Sequence, residues 1–264
     1  MATLTILGTA SAAPPAGGAC SAYLVSTPSA NVLLDIGPGS LPQLRAAVDV
    51  HDLDAIVISH MHTDHFLDLL ALNVARLTQP GMRMAGGAPW RLPVYLPPGG
   101  RATVEACFAA LQVNVSGTMS SRYGEHLELI EYDPAATLRV ADLAISFVGP
   151  TKHSQLDYGI RVATSRGSIL GYTGDTAYCD AAIEVGRRAD LFLAESTLAE
   201  PGPASETHTC AAELAAMAEA ARPGQLVATH FLSHDEAYLG AIEERLRDVS
   251  MPRTLARIGA TFDF

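Results

Sequence analysis

Residues 55–69 read Ala-Ile-Val-Ile-Ser-His-Met-His-Thr-Asp-His-Phe-Leu-Asp-Leu. The first five form a short apolar run without polar alternation, the pattern of a strand buried on both faces. It ends in H-x-H-x-D-H, His60 to His65. Imidazole and carboxylate are donor types preferred by zinc, with manganese and iron as further candidates. A loop leaving a buried strand can turn His60 and His62 into one coordination sphere, and Asp64 and His65 into a neighbouring one. Residues 66–77 then carry apolar side chains at helical spacing. The order strand, ligand-bearing loop, helix points to an α/β fold.

The same alternation runs outward in both directions. Residues 4–7, 22–26 and 32–35 are β-rich runs separated by Gly, Pro and Ala-Ser punctuation. Helical spacing covers 41–50, and a strand is expected at 92–96. In the second half, a helix at 103–111 precedes strands at 127–132 and 138–148 and a hairpin formed by 159–163 and 168–172. Helices at 180–188, 208–221 and 235–249 alternate with strands at 191–194 and 225–229, and a last strand falls within 254–264. No composition break or linker divides the chain. One α/β domain in stacked layers is expected over residues 1–264, compatible with two β-then-α halves.

Composition narrows the function. The 264 residues are 48% hydrophobic and 17% charged, enough to bury a sizeable core, which excludes a disordered chain. With 28 acidic against 17 basic side chains the formal charge is −11. Lys152 is the single lysine. That balance argues against a general grip on long nucleic acid, which leans on clustered Lys and Arg. Residues 1–8 lack a basic n-region followed by a signal-length apolar run, and no stretch of about 18 apolar residues occurs, so no membrane span is expected. Cys20, Cys107, Cys179 and Cys210 lack C-x-x-C spacing, and a reduced, cytoplasmic protein is the expectation.

Three more donors sit at strand ends. His153 follows the run at 143–148, Asp175 follows 168–172, and His230 follows 225–229. Together with H-x-H-x-D-H, the contexts T-K-H-S-Q-L-D-Y-G-I-R (151–161), Y-T-G-D-T (172–176) and A-T-H-F (228–231) resemble the metallo-β-lactamase superfamily, in its ribonuclease Z-like branch. L-G-T-A-S-A-A-P at 7–14, L-L-D-I-G-P-G at 33–39, A-E-S-T at 194–197 and H-T-C-A-A-E-L-A from His208 also fit. The resemblance spans essentially the whole chain.

It implies a four-layer αββα sandwich with the site at one edge of two packed sheets. It also implies two divalent metal ions, zinc in the first place and manganese or iron as alternatives. His60, His62 and His153 would hold one ion and Asp64, His65 and His230 the second, with Asp175 bridging. Two such ions can activate a hydroxide and stabilise attacking and leaving oxygens. Asp64 could also orient or deprotonate the water. Glu195 and His208 match the branch's Glu–His pair, in which a carboxylate favours an imidazolium able to protonate a leaving alkoxide.

Processing enzymes of this branch that trim transfer-RNA 3′ ends carry a protruding arm that clamps the RNA. Here His153 and Asp175 are separated by only a hairpin's length, and residues 112–131, a conceivable insertion, are not basic. The variant Phe66-Leu67-Asp68-Leu69 looks more like armless bacterial relatives, some of which hydrolyse cyclic nucleotides. The expected substrate is a small phosphodiester such as cyclic AMP, with long RNA disfavoured. Alternatives are a ribonuclease Z-type tRNA 3′-processing endonuclease, and a thioester or lactone hydrolase whose acyl pocket would use 66–77 and the Pro/Gly-rich loop 80–91 with Trp90. A non-catalytic binding module is disfavoured by the complete ligand set. Armless relatives commonly form homodimers, and the mean hydropathy of +0.20 is consistent with a subunit contact.

The remaining candidates have ordinary readings. His51 and His234 are expected at the surface, His234 near the rim of the site, and His126 belongs to no motif. Cys210, Met61, Met82 and Met84 read as packing or loop residues. Asp35 is expected to order a turn or a ligating histidine rather than to bind metal. Ser11 and Lys152 are placed to approach a substrate phosphate.

Overall fold

The computed structural model describes residues 1–78, 84–85, 88–111 and 126–264. The first half supplies β1 (Thr3–Gly8), β2 (Ala22–Ser26), β3 (Asn31–Leu34), β4 (Ala55–Val57), the two-residue strands β5 (Met84–Ala85) and β6 (Ala88–Pro89), β7 (Leu92–Leu96) and β8 (Leu127–Glu131). Between them run α1 (Ser40–Ala47), α2 (Thr63–Phe66), α3 (Leu69–Thr78) and α4 (Gly100–Leu111). The second half supplies β9 (Leu138–Val140), β10 (Leu143–Val148), β11 (Gly159–Thr164), β12 (Ile169–Tyr172), β13 (Leu191–Glu195), β14 (Gln225–Thr229), β15 (Arg253–Leu255) and β16 (Thr261–Asp263). Its helices are α5 (Asp180–Gly186), α6 (Ala211–Ala221) and α7 (Glu236–Arg245).

Two seven-stranded sheets result, in the orders β16-β1-β2-β3-β4-β7-β8 and β15-β14-β13-β12-β11-β10-β9. Along the first, three antiparallel pairings are followed by three parallel ones. Along the second, starting from β9, the same succession recurs. The two-half reading of the sequence therefore holds at the level of topology, except that the outer antiparallel strand of the first sheet comes from the carboxyl end of the chain.

Strand alternation builds three apolar layers. Ile6, Tyr23, Val25 and Val57 meet Ile145, Val162, Tyr172 and Leu193 between the sheets. Neighbouring positions Leu24, Leu33 and Ile56 turn outward onto Leu44, Leu72 and Phe108 of the helices. On the far side Phe192, Leu226 and Ala228 pack on Leu214, Met217 and Ile242. Strands buried on both faces explain the continuous apolar runs at 55–58 and 191–194. The fold is the αββα sandwich, one domain along the chain.

Several expected elements divide. The apolar stretch 66–77 breaks between α2 and α3, because Asp68 N bonds Ile36 O at 3.1 Å and the Asp68 carboxylate accepts Leu41 N at 2.9 Å. Residues 138–148 fold into the β9–β10 hairpin through a left-handed Ala141 (φ 50°). Asp142 beside it accepts Thr27 Oγ1 at 2.7 Å and Ser29 Oγ at 2.6 Å. The last stretch yields two strands in different sheets, β15 beside β14 and β16 beside β1. The helix expected from His208 begins at Ala211, where Glu213 accepts Cys210 N at 3.0 Å. His208 is left in the preceding loop. His51, expected at the surface, is buried at 2% exposure because residues 48–53 turn inward onto the helix layer, and neither ring nitrogen is hydrogen-bonded among the described residues. His126 is buried as well. The loop 80–91 with Met82, and residues 112–125, lie largely outside the described residues. Trp90 is described, with the Arg76 guanidinium 5.7 Å from its ring centre.

Candidate metal centre

The parallel strands β3, β4, β12, β13 and β14 end at one edge of the sandwich, where crevices at strand carboxyl ends gather functional side chains. Asp35 leaves β3, His60 follows β4, Asp175 follows β12, Glu195 ends β13 and His230 follows β14. Asp35 and His230 both adopt left-handed backbone, φ 57° and 60°, and such strained positions concentrate at functional sites.

Each buried imidazole is held from behind. Asp35 is fully buried and accepts Ser59 N at 2.8 Å, Ser59 Oγ at 2.9 Å and Tyr172 OH at 2.6 Å. It also sits 2.8 Å from His65 Nδ1. His60 Nδ1 lies 2.9 Å from Asp157 Oδ2, and the other partner of that oxygen is Asp175 N, at 2.8 Å. His153 Nδ1 faces Thr207 O at 2.8 Å. His230 Nδ1 faces Thr197 Oγ1 at 2.8 Å, and Thr197 in turn donates to Glu195 at 2.6 Å. Partners of this kind orient each ring and turn the opposite ring nitrogen toward the centre.

Those free nitrogens converge. His62 Nδ1 is 3.0 Å from His60 Nε2 and 2.9 Å from His153 Nε2. His230 Nε2 is 3.2 Å from His65 Nε2 and 3.3 Å from Asp64 Oδ2. Between the two groups Asp175 presents Oδ2 at 3.7 Å from His60 and Oδ1 at 3.4 and 3.3 Å from His65 and His230. Ligand atoms sharing a tetrahedral zinc at roughly 2.1 Å would stand about 3.4 Å apart, so this spacing fits. Asp175 Oδ1 is buried without a hydrogen-bond partner among the described residues, an orphan that a cation would satisfy. Among the described residues, three groups of donors stand close enough to hold an ion: His60, His62, His153 and Asp175; Asp64, His65, Asp175 and His230; and Glu195, His208 and His230, of which only the first two share the orphaned Asp175 carboxylate.

Charge agrees with that use. Burial pushes His60 down to about 3 and His62 to about 4, so both are neutral donors at ordinary pH. Burial opposes charge on His65 too, but Asp175 and Asp35 outweigh it and raise the group well above the usual histidine value. The same two carboxylates that favour a proton on His65 would favour a cation there, and ligation needs the ring neutral. Burial also drives Asp157 well above the carboxylate range, with Asp175 adding to the effect.

Glu195 and His208 form a second unit. Glu195 is fully buried; its Oε1 accepts Thr176 N at 2.6 Å and faces His208 Nδ1 at 3.1 Å. Burial alone would lower His208, but the hydrogen bond and charge of Glu195, then Asp175 and Asp64, raise it. His208 remains partly exposed and lines an open cleft of about 280 Å³ with Ser11, Ala12, His62, Thr63, Asp64 and Asp175. Ser11 thus reaches the mouth, whereas Lys152 is absent from the lining. His234 holds Thr9 Oγ1 at 2.9 Å behind this loop.

The structure therefore brings all nine singled-out residues, His60, His62, Asp64, His65, His153, Asp175, Glu195, His208 and His230, to one edge. Asp35 serves a histidine, as expected. Sequence reading missed Asp157 and Thr197; Asp157 lies in the stretch after His153, but only packing shows that it backs His60.

A family model described as the β-lactamase superfamily domain matches residues 30–231. The chain belongs to the metallo-β-lactamase superfamily. A Bacillus subtilis protein named "Probable metallo-hydrolase YhfI" is 30% identical over 228 residues, 86% of each chain. The crystal structure of YhfI superposes with a TM-score of 0.82 at 26% identity over the whole of both chains. A ribonuclease Z of Mycobacterium sp. (strain KMS) is 30% identical over 251 residues, 88% of this chain and 85% of that one. These relatives place the chain among the superfamily's metallo-hydrolases, in its ribonuclease Z-like branch. No described helix is long and apolar enough to cross a membrane.

Proposed function

We propose that this metallo-hydrolase is a phosphodiesterase acting on small phosphodiesters, a cyclic mononucleotide first among them, with two divalent cations, zinc foremost. His60, His62 and His153 would hold one ion, and Asp64, His65 and His230 the other, with Asp175 between. When bound, the ions supply Lewis acidity, polarising a phosphoryl oxygen and lowering the pKa of water. The observation that carries the reading is the Glu195–His208 pair beside the clusters, with His208 Nδ1 3.9 Å from Asp175 Oδ2.

With Nδ1 held by Glu195, His208 has Nε2 for the substrate. Its raised pKa keeps a proton there, to donate to a phosphoryl oxygen or a departing alkoxide. Asp64 accepts the Ala12 amide at 2.7 Å, which fixes its carboxylate at the cleft wall, ready to orient a nucleophilic water. The name of the ribonuclease Z relative points to phosphodiester chemistry. The span between His153 and Asp175 is filled by the β11–β12 hairpin, without room there for an RNA-clamping arm, and the net charge is −11. Both favour a small substrate.

The test compares cyclic AMP, bis(p-nitrophenyl) phosphate, a precursor transfer RNA and a thioester and lactone panel on protein loaded with zinc or manganese. The reading expects the small diesters to have the highest kcat/KM. Precursor cleavage exceeding them would replace it with 3′-processing, and thioester or lactone turnover exceeding them with acyl hydrolysis.

A further inference from the structure

We propose that Ser11 is a substrate-binding residue whose hydroxyl donates to a phosphoryl oxygen of the diester. The inference rests on the phosphodiesterase reading above and adds a residue to it.

Ser11 lies in the loop after β1, 6% exposed, on the wall of the cleft shared with Asp64, Asp175 and His208. Its hydroxyl makes no hydrogen bond to any described residue, although its neighbours are tied down closely. Thr9 N and Ala10 N both bond Ala19 O, at 2.9 and 3.0 Å. Ser11 N bonds Phe231 O at 3.0 Å, beside His230. Ala12 N donates to Asp64 Oδ2 at 2.7 Å, and Ala13 N closes a tight turn onto Ser11 O at 2.7 Å. Ala12 adopts φ 59°, a left-handed conformation that disfavours a residue with a Cβ.

The loop is therefore locked at two points of one cluster, through Asp64 and through the residue after His230, while the Ser11 hydroxyl is left unpaired among the described residues. Unlike the hydroxyls of Ser21 and Ser196, which are buried without a partner, that of Ser11 keeps solvent access at the cleft, and strain held by surrounding contacts is a mark of functional loops. A donor fixed in place needs no reorganisation when a charged oxygen arrives, which makes it effective at stabilising developing charge. Ser11 and His208 would supply two protein donors in the cleft alongside the ions. Ala12 beside it lines the same cleft with a short side chain.

The test is Ser11→Ala and Ser11→Thr in zinc-loaded protein, read by kcat and KM on bis(p-nitrophenyl) phosphate, inhibition by inorganic phosphate, metal content and Tm. Ser11→Ala is expected to lower kcat/KM roughly 10- to 100-fold, the loss of one hydrogen bond to a charged oxygen, and to weaken phosphate inhibition in parallel. Metal content and Tm should stay at the parent values, and Ser11→Thr should recover part of the loss. Parent-like kcat/KM and phosphate inhibition in Ser11→Ala overturn the proposal, as does a loss that tracks metal content. A parent protein that turns over thioesters but no diester removes the phosphodiesterase reading itself, a result separate from the variant comparison.

Discussion

His208 differs from the buried imidazoles of the centre in its access to solvent, and from the partly exposed His62 and His153 in that its Nδ1 faces a carboxylate. The ligand candidates His60, His65 and His230 are buried, whereas the side chain of His208 is 18% exposed and its Nδ1 is paired with a buried carboxylate. That combination suits a proton donor rather than an ion ligand. His208→Ala is expected to lower kcat on bis(p-nitrophenyl) phosphate by about 100-fold or more, within the range of general acid catalysis, while bound metal stays at the parent level by elemental analysis. Loss of metal with turnover preserved would move His208 into the ligand set. The three histidines and the aspartate of H-x-H-x-D-H were legible because they are neighbours in the chain. Asp157 and Thr197 were not, because their roles depend on residues brought from afar: Asp157 on His60, Thr197 on His230.

At the scale of elements, apolar spacing predicted most strands and the order of strands and helices, and missed where local polar contacts interrupt them. Asp68 splits a helix that spacing alone would extend, since its amide and carboxylate are engaged by Ile36 and Leu41. The loop 35–39 after β3 and the α2 turn are packed so closely that a Cβ on Gly37 would collide with the Asp64 carbonyl and stand 2.7 Å from the Cys20 Cβ. Gly37→Ala should therefore push Asp64 away from the centre. Overpacking of this kind costs roughly 1–3 kcal/mol, and each kcal/mol shifts the midpoint of a chain this size by about 2–4 °C. The expected outcome is a Tm several degrees lower with less bound metal. Parent Tm and parent metal content together would show that the loop yields without moving Asp64.

The whole molecule gathers Asp35, Asp64, Asp157 and Asp175 within one buried edge, where carboxylates cost free energy unless paired. Asp175 and Asp35 favour a proton on His65, which offsets part of this. A tightly held cation stabilises the native state alone, so chelation of the metal-loaded protein should lower Tm by about 10 °C, recovered on adding zinc or manganese. A chelated protein that melts at the same temperature would mean that no tight ion is held there. Sequence by itself determined the donor types, their order at strand ends and the layered α/β class, because burial of a strand and metal ligation both constrain residue type at short spacing. The family resemblance already implied which donors share a cluster and that Asp175 bridges them; only the tertiary structure decided that Asp157 and Thr197 back ligand histidines, that His208 stays outside a helix, and that the last strand crosses to the other sheet. Those outcomes depend on pairing between the two halves and on hydrogen bonds such as that from Tyr172 to Asp35, 137 positions apart, which no local pattern encodes.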